Sequence, residues 1–119
     1  MLAKIAKELP QFDFFVWGKP ICDDWSFFIK NIENIKYMGV YSNIYDLSFS
    51  SNSAWLYTSE WDGFPHVLLE VALIKIPICS SSCGGVKDEL NDDNSFLIKD
   101  LENVQEYVNQ LKKIASNIE

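Results

Sequence analysis

The residues best suited to chemistry lie in one stretch, Ser59-Glu60-Trp61-Asp62-Gly63-Phe64-Pro65-His66-Val67-Leu68-Leu69-Glu70-Val71-Ala72. From Val67 to Ile74 every residue is apolar except Glu70. Proline fits the first turn of a helix and good helix formers follow, so Pro65–Ile74 is predicted to be helical. A helix apolar on all sides is buried. A lone carboxylate within it costs several kcal/mol, as an order of magnitude, unless it is partnered. Glu70 is therefore expected to hold hydrogen-bond donors, a role that hydroxyl groups of a sugar would fill. Asp62 lies in the loop feeding that helix, whose free N–H groups and positive dipole end suit a diphosphate. On spacing alone two plainer readings fit as well: an ordinary Asp-Gly turn for Asp62, and a paired core or edge carboxylate for Glu70.

A second candidate is Ser80-Ser81-Ser82-Cys83-Gly84-Gly85-Val86-Lys87-Asp88-Glu89. Small residues and paired glycines after a strand form a loop whose amides can cradle an anion, although Gly-Gly is also an ordinary turn. Cys83 as a nucleophile would need a base, and His66 is the one histidine. Cys79 and Cys83 have three residues between them, not the two of a redox or zinc pair, and with a single histidine a zinc site lacks ligands. No metal and no cofactor is expected. The three cysteines, Cys22, Cys79 and Cys83, are read as buried or part-buried free thiols.

These residues must be positioned by short apolar runs that recur along the chain: Phe12–Trp17, Ile35–Met38, Ala54–Tyr57, Ile76–Cys79 and Phe96–Ile98. Several are rich in β-branched or aromatic residues without clean alternation, which suits strands buried on both faces. Between them lie a helical pattern in Asp24–Ile32, a weak turn or short helix in Tyr45–Ser51, and the Pro65–Ile74 helix. Leu101, Val104, Val108, Leu111, Ala115 and Ile118 form one face of a closing helix, with Asp100 placed as its N-cap. Alternating strands and helices with short joints predict an α/β fold, a Rossmann-like parallel sheet covered by helices on both faces. A helical fragment, Leu2–Leu9, precedes the first strand. Such a helix normally returns from an earlier strand, so the single domain over residues 1–119 is expected to lack its first strand. In an open parallel sheet, ligands bind outside the carboxyl ends of the strands. The loops meeting that condition are Gly18–Asp24, Gly39–Asn43, Thr58–Phe64 and Ser80–Lys87.

Composition narrows the partners. The chain has 119 residues, 48% hydrophobic and 23% charged, which is globular composition. Its net charge is -7 and its ten basic residues are all lysine. A nucleic-acid partner is excluded for want of a basic stripe. No apolar run approaches the ~20 residues of a membrane span, so direct membrane insertion is not expected and a cytoplasmic location is the default.

In these motifs the chain resembles glycosyltransferase family 4. That family's C-terminal domains carry a run like Glu-Gly-Phe-Pro-Asn-Val-Leu-Leu-Glu-Ala, matched here by Asp62-Gly63-Phe64-Pro65-His66-Val67-Leu68-Leu69-Glu70-Val71. A Pro-Val-Val-like strand and a Gly-Gly-x-x-Glu loop follow in the family. Here they read Pro77-Ile78-Cys79 and Gly84-Gly85-Val86-Lys87-Asp88-Glu89, with the acid at Asp88 or Glu89. Lys7-Glu8-Leu9-Pro10, Val16-Trp17-Gly18 and Ile35-Lys36-Tyr37-Met38-Gly39 fall in family order too.

The resemblance implies the C-terminal half of a GT-B fold and a retaining transfer of sugar from a nucleotide-sugar donor to an acceptor. The acceptor, a glycan or a lipid-linked glycan, would be held by a missing N-terminal domain, and the full-length protein could sit peripherally on the inner membrane. By the same resemblance, Glu70 would hold the ribose and Asp62 would face the donor sugar. Backbone from Gly63, Phe64, Pro65, His66, Val67 and Leu68 would meet the diphosphate. Gly39, Val40 and Tyr41 would lie near the base, and Gly84 and Gly85 near the sugar.

Two departures stand out. Asp62 replaces the usual Glu, which shortens its reach. The family's Gly-Arg…Lys-Gly segment, whose cations neutralise the diphosphate, is absent from a chain without arginine. Losing both cations removes several kcal/mol of transition-state stabilisation, as an estimate, so the isolated chain is expected to have little or no transferase activity. The alternative is a non-catalytic remnant serving as a binding or interaction module. A receiver-like signalling domain needs a phosphate-accepting Asp at a strand end, and Leu56-Tyr57-Thr58-Ser59 offers none.

Overall fold

The computed structural model describes residues 1–18, 29, 31–59, 66–86, 90 and 95–118. The chain divides into two compact units, Met1–Leu47 and Ser48–Glu119.

The first unit opens with α1 (Leu2–Glu8), followed by β1 (Phe14–Trp17) and β2 (Ile35–Gly39). The two strands pair in parallel, Phe14 against Ile35, with a register shift at Val16/Trp17 that sets Trp17 opposite Gly39. Ile5 and Ala6 of α1, with Leu9 beyond it, are fully buried. Helix and strands are fastened by one side chain. The Asn34 amide nitrogen donates to the carbonyls of Ala6, Leu9 and Phe12 at 2.9, 3.0 and 3.0 Å. It adds a second bond to the Ala6 and Leu9 carbonyls, which already accept from the Leu9 and Phe12 amides, and ties both to the Phe12 carbonyl. A 3-10 turn at Ile44–Asp46 follows, capped by Asn43, whose side chain accepts from the Tyr45 amide. The predicted Asp24–Ile32 helix lies almost wholly outside the described residues.

The second unit contains β3 (Trp55–Tyr57), α2 (His66–Leu73), β4 (Ile78–Ser81), β5 (Phe96–Ile98) and α3 (Val104–Ile118). Its sheet is parallel throughout, in the order β3-β4-β5. Helix α2 packs on β4, and α3 packs on β4 and β5. Parallel strands need a crossover connection, and α2 is the one joining β3 to β4. In sequence it follows β3, from His66 to Leu73.

The strand positions follow the apolar runs, but burial on both faces holds only for β4, every residue of which is buried. In β2 the side chains of Lys36, Tyr37 and Met38 are exposed. Among the described residues β2 has β1 as its sole strand partner.

Helix α3 buries Tyr107, Val108, Leu111 and Ile114. Burying a side chain of that size contributes about 1.5–3 kcal/mol. Its cap is Asn103, not Asp100. The Asn103 side chain accepts from the Glu106 amide at 3.2 Å, while Asp100 accepts from the Glu102 amide in the preceding turn. The Glu106 carboxylate reaches back to the amides of Lys99 and Asp100. Asn103 and Glu106 have the spacing of a capping box.

Helix α2 ends without glycine. Lys75 takes the left-handed conformation, φ 61°. The Lys75 amide donates to the Ala72 carbonyl and the Ile76 amide to the Val71 carbonyl, the paired bonds of a Schellman ending.

Candidate functional site

Among the described residues, Gly18 follows β1, Gly39 ends β2 and Thr58 follows β3, each at the carboxyl end of a parallel strand. In the first unit, the end of β2 turns at Gly39, whose φ of 97° is a backbone state that disfavours side chains. The Gly18 amide donates to the Gly39 carbonyl at 2.9 Å, and the Tyr37 hydroxyl donates to the Gly18 carbonyl at 2.6 Å. Trp17 and Tyr41 meet edge to face, centroids 6.2 Å apart, and Val40 stands 69% exposed between them in sequence. Aromatic faces and a solvent-facing backbone turn can receive a flat heterocycle. Gly39, Val40 and Tyr41 were expected from the sequence. Trp17 and Tyr37, which brace the turn, were not, because their types read equally well as strand core.

In the second unit, α2 begins at His66. The amides of its first turn have no acceptor within the helix. Val67 is half-buried, Leu68 is buried and His66 is exposed. Glu70 is exposed as well. The expectation of a carboxylate sunk in an apolar helix is thus corrected: only Leu68 and Val71 of α2 are buried, while Leu69 is 44% and Leu73 74% exposed. An eight-residue helix covers its sheet with one stripe, and apolar residues off that stripe stay in water. Glu70 therefore incurs no burial cost. Its carboxylate has no hydrogen-bond or ion-pair partner among the described residues, which leaves it open to a ligand. Asp62, Gly63, Phe64 and Pro65 lie outside the described residues.

The serine-rich segment after Cys79 is placed differently from the reading as a loop. Ser80 and Ser81 end β4, and all three serine hydroxyls are engaged within the protein. Ser80 donates to the Ser81 carbonyl, Ser81 to the Ser59 carbonyl and Ser82 to the Ile98 carbonyl. The amide of Ser82 also donates to Ile98. What remains for a ligand is the turn beyond. There Gly84 is exposed at φ 50°, Gly85 is half-buried, and the Val86 amide closes on the Cys83 carbonyl at 3.0 Å.

Cys79 and Cys83 are buried free thiols; Cys22 lies outside the described residues. Burial pushes the Cys79 thiol up to about 12, helped by the Glu106 carboxylate, so it is no nucleophile near neutral pH. Burial likewise pushes the Tyr107 phenol up to about 12. Among the described residues its hydroxyl has no partner of good hydrogen-bond geometry. The neighbouring Ser81 hydroxyl, which would favour the phenolate, donates to Ser59 instead.

A cavity of about 390 Å³ lies between β5 and α3, bounded by Phe96, Leu97, Gln110 and Lys113. It holds none of the residues singled out from the sequence. Among the described residues no three His, Cys, Asp or Glu side chains gather as a metal site would require, and no helix is long and apolar enough to cross a membrane.

The family model described as "Glycosyl transferases group 1" matches residues 3–119. Among solved structures, the lipopolysaccharide outer core galactosyltransferase WaaB in its apo form is similar, with a TM-score of 0.76 and 20% sequence identity. The likeness covers 98% of this chain and 36% of WaaB, so the chain spans about a third of the length of that relative. No curated protein sequence matches the chain significantly.

Proposed function

From the premise that this chain belongs to the group 1 glycosyltransferases and has the Rossmann-like fold of the C-terminal half of a GT-B enzyme, we propose that it is the donor-binding part of a retaining glycosyltransferase. Its donor is a nucleotide-activated sugar and its acceptor a glycan or lipid-linked glycan.

The observation carrying this reading is Glu70. It is an exposed carboxylate without a partner among the described residues, borne on the helix that connects β3 to β4. A carboxylate accepts from two vicinal hydroxyls at once, as a ribose presents them. The amides of His66, Val67 and Leu68 open α2, where partial positive charge favours a diphosphate. Asp62, in the loop before them, is assigned to the donor sugar, and Gly84 and Gly85 to the same sugar from the turn after β4.

The protein's work in this reaction is orientation and charge stabilisation. The departing diphosphate gains negative charge as the sugar–oxygen bond breaks. The lysine-only composition supplies no bidentate guanidinium to meet that charge. The isolated chain is accordingly proposed to bind donor while turning it over little or not at all.

The test is a calorimetric titration of the chain and its Glu70→Ala variant with uridine, guanosine and adenosine diphosphates. Selective binding by the wild type, weakened at least tenfold in the variant, is the expected result for a lost charge-assisted pair of hydrogen bonds. Equal binding by both proteins removes Glu70 from the site.

A further inference from the structure

The sheet of the second unit loses its backbone ladder early on the β3 side. The last registered pair is Tyr57 with Ser80. Beyond it the two chains are joined by a side chain: the fully buried Ser81 hydroxyl donates to the Ser59 carbonyl at 2.5 Å. The same oxygen lies 3.7 Å from the Cys83 sulfur. On the other side, the Ser82 amide and hydroxyl both hold the Ile98 carbonyl, at 3.0 and 2.8 Å. The carboxyl end of β4 is thus tied by serine side chains to the ends of both neighbouring strands. Ser80, equally buried on the same strand, makes only a local bond to the next residue's carbonyl.

We infer that Ser81 is a positioning residue for donor binding, holding the end of β3 at Ser59 against the turn that carries Gly84. This rests on the donor-site reading above. Ser81 touches no ligand itself. It acts by holding Ser59 in place against the Cys83–Val86 turn, and preorganisation of that kind shows in affinity. A hydroxyl buried with its partner also supports stability, so folding and positioning must be separated.

The experiment compares the wild type with Ser81→Ala, Ser81→Thr and Ser80→Ala. Each is titrated with the nucleoside diphosphate that the wild type selects, alongside melting curves and amide hydrogen exchange. Both alanine variants lose one buried hydroxyl and should melt at similarly lowered temperatures. Only Ser81→Ala should weaken binding, by roughly tenfold, and only it should speed exchange at Thr58, Ser59, Cys83 and Gly84. Threonine keeps the hydroxyl and should restore both readouts. Wild-type affinity and exchange in Ser81→Ala, or an equal effect in Ser80→Ala, overturns the inference. If the wild type binds none of the diphosphates, the donor reading fails and the role in binding fails with it. The exchange comparison still decides whether Ser81 holds the two segments together.

Discussion

Alkali should unfold the second unit through two buried acids. Cys79 and Tyr107 are both 0% exposed. Burial raises the thiol from 9.0 to about 12 and the phenol from 10.0 to about 12. In the unfolded chain each ionises at its ordinary value. Above that value the unfolded state has lost a proton that the folded state retains. Stability from these groups is therefore fully present below about pH 9 and is lost as pH climbs towards 12. At about pH 11 the loss is about 3 kcal/mol for the thiol and about 1 kcal/mol for the phenol. Together these approach about 4 kcal/mol, a large share of the 5–15 kcal/mol that holds an ordinary domain folded.

Urea denaturation at about pH 8 and about pH 11, followed by tryptophan fluorescence, measures the difference. Lysine titration affects every variant alike, so Cys79→Ala isolates the thiol. That variant is less stable at the lower pH because it leaves a cavity, yet its loss between the two pH values should shrink by about 3 kcal/mol. Equal pH dependence in wild type and Cys79→Ala would refute the reasoning.

Two further outcomes are expected. Asn34→Ala should destabilise the first unit by about 1–2 kcal/mol, since its shared bonds to the Ala6, Leu9 and Phe12 carbonyls are lost while Ala6 and Leu9 keep their backbone donors, and Asn34→Asp should cost more because it turns a donor into an anion facing those carbonyls. Urea denaturation with exchange at α1 reads this out, and an Asp variant as stable as wild type would sink it. Lys75→Gly should stabilise the second unit by about 1 kcal/mol by relieving a side chain held at positive φ. A lowered melting temperature would show that the lysine side chain contributes more than its backbone costs.

What could be read from the sequence, and what could not, divides along a physical line. The five strands surfaced as apolar runs because an all-parallel sheet draws on β-branched and aromatic residues whichever edge they occupy. Residues 96–98 were located without error, and β4 was placed two residues early because Ser80 and Ser81 do not look like core. Their hydroxyls are buried only because Ser59 and the Ser81 carbonyl accept from them, a pairing invisible in linear spacing. The same holds for Asn34, whose acceptors lie more than twenty positions upstream. The ending of α2 was unreadable for another reason: lysine occupies the place where glycine would have signalled it. The Asn103–Glu106 cap stands in the sequence by its spacing, three residues further on than the Asp100 position expected from the start of the apolar face. For Glu70 the error was one of coverage. An apolar run shows what a helix is able to bury, and the area facing it decides what is buried.

The parallel pairing has a kinetic corollary. Phe14 with Ile35, Trp55 with Ile78 and Cys79 with Phe96 are each joined across about twenty residues of intervening chain, and none of these contacts can nucleate as a tight hairpin. Each strand must wait for a loop of that size to close before any ladder bond repays the entropy. Refolding should therefore be paced by loop closure, with α3, the longest local element, able to form ahead of the strands it covers.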